Sequence, residues 1–177
     1  ERQFPSALKI EIKEHEPVLR MRVMGADGLP ETRIVSRAGT VYQGVGYPTA
    51  TLGSLPFVLP YRHPETGFQP LRGIERVAEL LEDTRRTQPN FYKTWQLVSL
   101  EHYSGDPEMP GEVIEVRTTM VPRIIFGLNT DFAQQLDRLG VVMQYVQSRG
   151  NPALKRIDLS LPGSAAVQFE SGRISTF

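Results

Sequence analysis

The sequence predicts an α+β fold, a mostly antiparallel β-sheet with two main helices packed on one face. Three observations predict it. Short segments with an apolar residue at every second position recur along the 177 residues, the period of a strand with one buried face. Two longer segments space their apolar residues by three and four instead, the period of an amphipathic helix. Fifteen glycines and 14 prolines divide these segments into short units rather than long repeats.

In chain order, Leu8, Ile10 and Ile12 alternate with Lys9, Glu11 and Lys13, a strand bracketed by Pro5 and Pro17, which limit ladder donation. Residues 18 to 23 form the next strand, a turn follows at Gly25-Ala26-Asp27-Gly28, and residues 33 to 42 give two short strands around Ala38-Gly39. Residues 44 to 70 hold many prolines and glycines, among them Leu55-Pro56-Phe57-Val58-Leu59-Pro60, and are expected to form a long surface loop. The first helix covers 73 to 86, where Ile74, Val77, Leu80 and Leu81 share a face. Strands are expected at 95 to 103, 113 to 118 and 124 to 126, with a turn-rich loop at 104 to 111. The second helix repeats Phe132, Leu136, Leu139, Met143 and Val146, with N-cap candidates in Asn129-Thr130-Asp131 and a stop at Gly150. Two strands close the chain: Ile157, Leu159 and Leu161 alternate on one, Ala165, Val167 and Phe169 on the other, and Pro162-Gly163 turns between them. No internal repeat is visible in the sequence.

Composition narrows function. Twenty acidic and 20 basic residues cancel without forming like-charge blocks, so the electrostatic footprint of a nucleic-acid or anionic-membrane binder is missing. Without cysteine there is no disulfide, thiol nucleophile or zinc–thiolate site. The longest apolar runs, such as Val141-Val142-Met143, fall far short of the roughly 20 residues that span a bilayer. The chain opens at Glu1 on the approach to a strand, and so reads as a piece of a longer protein.

Catalytic patterns find little to rest on. His15, His63 and His102 lie in separate segments without metal-ligand spacing. Gly44-Val45-Gly46 lacks the third glycine and the following helix of a dinucleotide fingerprint. Glu79, Glu82 and Asp83 belong to the polar face of a helix, and Ser164 and Ser171 lack a strand-to-helix elbow. The expectation is a non-enzymatic chain with no cofactor. Tyr92, Trp95 and Tyr103 would be the platform of an alternative, sugar-binding reading, but they alternate poorly across a turn-prone region and are expected to divide between core and rim.

Three segments, in order, resemble the FtsQ/DivIB family of bacterial cell division proteins. They are the opening strand from Arg2 to Val18, the stretch Arg123-Ile124-Ile125-Phe126-Gly127-Leu128-Asn129 running into a helix with Leu136-Asp137-Arg138-Leu139 and Tyr145, and the closing Ile157-Asp158-Leu159-Ser160-Leu161-Pro162-Gly163-Ser164-Ala165-Ala166-Val167-Gln168-Phe169. Leu55 to Pro60 is similar to a Leu-Pro segment of that family, whereas 42 to 70 and 87 to 111 have no clear counterpart. The resemblance implies two parts: residues 1–18 as the last strand of a truncated POTRA domain, and 19–177 as the extracytoplasmic β domain. It also implies a periplasmic domain of a single-pass inner-membrane protein of the divisome, acting in septum formation as a protein–protein scaffold.

Its implied partner is the extracytoplasmic C-terminal segment of an FtsB/DivIC-like protein, captured by strand addition at the C-terminal edge and linked to an FtsL-like protein. Carried onto this sequence, the partner-binding residues are Leu161, Gly163, Ser164, Ala165, Val167, Phe169 and Glu170. Alternatives from outside this family are an envelope-assembly module of an outer-membrane or secretion system, and a peptidoglycan-binding domain.

Overall fold

The computed structural model describes residues 14–62, 70–106 and 109–177. The opening Leu8 to Lys13 strand therefore lies outside the described residues. The described chain forms an α+β layer with ten strands in one mixed sheet and four helices. Six of the nine neighbouring strand pairs are antiparallel and three are parallel, so the sheet is mostly antiparallel as expected.

A hairpin starts it. Strands β1 (Pro17–Met24) and β2 (Pro30–Ser36) pair antiparallel across the predicted glycine turn, and the two-residue β3 (Val41–Tyr42) adds to β2. Among the described residues the first strand begins at Pro17. Gly39 has φ of 79°. A Cβ there would sit 2.1 Å from the Leu71 carbonyl oxygen, so this tight turn needs glycine on both counts.

The supposed loop from 44 to 70 departs most from expectation. It contains helix α1 (Thr49–Ser54) and strand β4 (Phe57–Leu59), and β4 lies inside the sheet between β1 and the later β5 (Trp95–Ser99). A three-residue strand between prolines carries too little periodicity to be seen in the sequence. Its place is fixed by parallel pairing with both neighbours, Arg20 to Phe57 on one side and Val58 to Val98 on the other.

From β4 onward the topology repeats. β4, helix α2 (Ile74–Thr87), parallel β5 and antiparallel β6 (Val113–Thr118) form one βαββ unit, with a short α3 (Pro89–Tyr92) before β5. β7 (Ile124–Gly127), helix α4 (Phe132–Ser148), parallel β8 (Leu154–Asp158) and antiparallel β9 (Ala166–Phe169) form the next. The units lie side by side through antiparallel β6 and β7, a structural duplication that leaves no sequence trace. Parallel neighbours require a crossover, and each unit supplies it with its helix.

Both helices bury their predicted faces in one continuous core. Ile74, Val77, Leu80 and Leu81 from α2, with Phe132, Leu136, Leu139 and Val146 from α4, pack on Val58, Val98, Val116, Phe126, Ile157 and Val167 of the sheet. Met143, predicted on the same face, is only partly buried. Side chains at alternate positions, including Phe57, Leu97, Glu115, Arg117 and Arg156, emerge on the opposite face.

Helix α4 starts where predicted. Asp131 is its N-cap, and its carboxylate accepts a hydrogen bond from the Ala133 amide at 2.8 Å. Asp131→Ala should lower stability by about 1 kcal/mol, read from the shift of a urea unfolding midpoint at constant slope. Gly150, at φ of 81°, ends the helix.

Candidate functional site

The C-terminal end of the sheet carries one strand more than the sequence reading foresaw. After β9 the chain turns at residues 170–172 and returns as β10 (Ile174–Thr176), antiparallel to β9. The amide of Gly172 donates to the Phe169 carbonyl at 2.9 Å, and that of Phe169 to the Arg173 carbonyl at 2.9 Å. With Gly172 at φ of 85°, this is a turn closed by a glycine bulge. The signal was present in the sequence: Ser171-Gly172 is a turn dipeptide, and Ile174-Ser175-Thr176-Phe177 is composed of residues that favour strands.

This strand changes the roles of the expected binding residues. β9 is internal, paired to β8 on one side and β10 on the other. Val167 and Phe169 are 0% and 1% exposed, and Ala165 is fully buried and exchanges both backbone hydrogen bonds with Phe177. These three residues hold the core and have no surface to offer a partner, which corrects the expectation that they contact one. Leu161, 46% exposed, lies with Gly163 and Ser164 in the connection from β8 to β9, at the end of the sheet where Phe177 pairs with Ala165. Glu170 is exposed in the opposite turn, beside Arg173. The seven expected residues are thus split between a buried strand and its two ends.

Among the described residues the free edge at this end of the sheet is β10. Register decides which of its groups are available. Ala165 with Phe177 and Phe169 with Arg173 are hydrogen-bonded pairs, so Val167 with Ser175, midway between them, is the next of the same kind. The N–H and C=O of Ile174 and Thr176 therefore point away from β9, into the space where a further strand would lie. The edge is also sticky: Ile174 is 66% exposed. Its far end is anchored on α4, where the Tyr145 and Phe177 rings meet edge-on at 4.8 Å. The Arg173 guanidinium lies 4.3 Å over the Phe169 ring. At the other limit of the sheet β3 is only two residues long, a poor template for pairing.

Other sequence candidates fall elsewhere. The main-chain carbonyl of His15 accepts hydrogen bonds from the hydroxyls of Tyr42 and Tyr47, His102 lines a cleft on the face opposite α2 and α4, and His63 lies outside the described residues. Among the described residues no cluster of three or more histidines, aspartates or glutamates is placed to hold a metal. Glu79, Glu82 and Asp83 do border a common hollow, but each carboxylate is occupied, by Arg76, Arg37 and Arg86 respectively. The hydrogen bond from Arg37 is the main cause that holds the Glu82 carboxyl below its usual pKa. Ser164 and Ser171 sit in the connections that precede and follow β9, and Gly44-Val45-Gly46 in a loop. Trp95 and Tyr103 are 5% and 3% exposed and belong to the core, while Tyr92 is only partly buried against it, the division between core and rim that the sequence suggested. Among the described residues no helix is long and apolar enough to cross a membrane.

Compared with models of known protein families and with curated proteins, the chain finds no match.

Proposed function

We propose that this chain is a non-enzymatic scaffold domain of the FtsQ/DivIB kind, which captures the extracytoplasmic C-terminal segment of an FtsB/DivIC-like division protein and thereby joins an FtsL-containing complex. The capture is strand addition beside β10. The observation that carries it is the outward-facing backbone of Ile174 and Thr176 at the C-terminal limit of the ten-stranded sheet, next to an exposed isoleucine side chain. The order of elements supports the reading: strand, glycine turn, long helix and closing strands follow one another in the order of the segments that carry the resemblance. On this reading the protein works outside the cytoplasm as the periplasmic part of a single-pass inner-membrane protein.

In this scaffold main-chain hydrogen bonds set the register of the incoming strand, and burial of Ile174 supplies apolar affinity of about 25 cal/mol per Å² covered. Leu161 stands at one end of the added strand and Glu170 at the other. Proline tests this without disturbing the fold, because the amide it removes at position 174 or 176 makes no bond to β9. Ile174→Pro and Thr176→Pro should each weaken binding of a peptide from the C-terminus of the cognate FtsB-like protein at least tenfold in a calorimetric titration, with the thermal midpoint nearly unchanged. Undiminished binding by folded variants would remove β10 as the site.

A further inference from the structure

The face of the sheet opposite α2 and α4 holds two adjoining hollows of opposite character. One, of about 290 Å³, is lined mainly by Phe57, Leu59 and Leu97, with Arg22 at its border. The other, of about 680 Å³, lies over β6 to β9 and presents Arg117, Arg123, Lys155 and Arg156. Leu97 and Arg117 are direct cross-strand partners, so the apolar hollow runs into the basic one without a break.

Charge on this surface is out of balance. The two hollows present five cations, Arg22, Arg117, Arg123, Lys155 and Arg156, against Glu101, Glu115 and, behind Arg156, Asp158, which leaves a formal +2 in a chain whose total is 0. Glu115 is 5% exposed and is already shared by Arg117 Nε at 3.0 Å and Arg123 Nε at 2.6 Å. A guanidinium carries five N–H donors, so most of those on Arg117 and Arg123 remain for another acceptor. Lys155 is exposed and, among the described residues, forms no ion pair. The Nε atom of Arg156 is buried without a hydrogen-bond partner among the described residues.

We propose that this face is a second docking surface, separate from the β10 edge, for an acidic protein segment that places one bulky apolar side chain in the Phe57–Leu59–Leu97 hollow and its carboxylates over Arg117, Arg123 and Lys155. Dimensions suit an extended peptide. From β4 to β8 the surface crosses four strand spacings, about 19 Å, the length of about six extended residues. Charge complementarity selects an acidic sequence, and a central apolar anchor with a charged rim is the usual anatomy of a tight contact. A lipid surface fits less well, since Phe57, Leu59 and Leu97 line a recess and do not project for insertion.

The test uses the whole chain and an octapeptide probe of six glutamates around a central Phe-Leu pair, followed by amide shifts and by fluorescence anisotropy. Binding should shift residues 57–59, 97, 115–117 and 155–156 while leaving 174–176 unmoved, and should weaken as salt rises. Arg117→Gln combined with Lys155→Glu should cost at least tenfold in affinity. Leu97→Ser should cost several-fold, as should replacing the probe's Phe-Leu pair by glutamates. Circular dichroism checks that each variant is folded. The proposal is overturned if the probe fails to bind at millimolar concentration, if a lysine-for-glutamate probe binds equally, if the folded variants bind like the parent, or if phosphatidylglycerol vesicles bind while the peptide does not. Because the probe does not engage β10, these outcomes leave the strand-addition reading to its own test.

Discussion

Phe169→Ala should destabilise the fold by about 3–5 kcal/mol, a large share of the roughly 5–15 kcal/mol that holds a typical domain together. The ring is 1% exposed, pairs across strands with Leu154 and supports the Arg173 guanidinium at 4.3 Å. Its removal leaves a cavity under the last hairpin and withdraws the apolar platform on which β10 is fastened. Chemical denaturation should show an early midpoint with an unchanged slope, and hydrogen exchange should show β8, β9 and β10 opening together. The same residue was a natural choice for a partner contact, so the distinction has practical weight. A binding defect in a Phe169 variant would report lost structure, whereas a defect in Thr176→Pro would report a lost backbone donor to the partner.

Gln135→Ala should be nearly as costly, about 2–5 kcal/mol, although it removes no apolar group. This side chain is 0% exposed on α4, and it acts as a surrogate strand beside the end of β7. Its Oε1 accepts from the Gly127 amide at 2.8 Å, while its Nε2 donates to the Gly127 carbonyl at 2.8 Å and to the Thr130 carbonyl at 3.2 Å. Alanine strands the Gly127 amide and carbonyl in a dry interior, and each unmet group costs about 1–3 kcal/mol. Glutamate at 135 is a sharper probe: it keeps the volume and the acceptor but loses the donor, so when ionised it faces two carbonyls. Gln135→Glu should therefore be less stable than the parent and regain stability as pH falls through the carboxyl's raised pKa. Thermal midpoints measured from pH 8 to pH 4 read that slope directly.

Most of the architecture was legible because period and punctuation agreed. Residues 113 to 118 emerge as β6 with the predicted limits, and the spacing of Phe132, Leu136, Leu139 and Val146 gives the buried face of α4. Hairpin glycines 25 to 28 join β1 to β2, as expected. What failed to show has physical reasons. β4 is three residues long, and its place between two parallel partners is decided by contacts remote in sequence. The role of Gln135 does not show in the sequence, since nothing local tells that it caps the end of a neighbouring strand.

The edge itself was misplaced by one strand for a related reason. Alternation of Ala165, Val167 and Phe169 with Ala166, Gln168 and Glu170 is equally good for an internal or an outer strand. Only pairing decides between them, and β10 supplies it. The Ser171-Gly172 turn and the strand-favouring residues after it were the local clues that the chain doubles back. The acidic trio Glu79, Glu82 and Asp83 shows the opposite case. Helical spacing placed it on a polar surface, where its arginine partners now account for it.

Strand addition at β10 is the central claim, and the amides of Ile174 and Thr176 test it most directly. In the free chain both should exchange with solvent far faster than the amides of Ser175 and Phe177, which β9 holds. On saturation with the C-terminal peptide of the FtsB-like partner, Ile174 and Thr176 should slow by at least a hundredfold, in alternation with neighbours that change little. Binding that leaves these two amides in fast exchange would contradict the account.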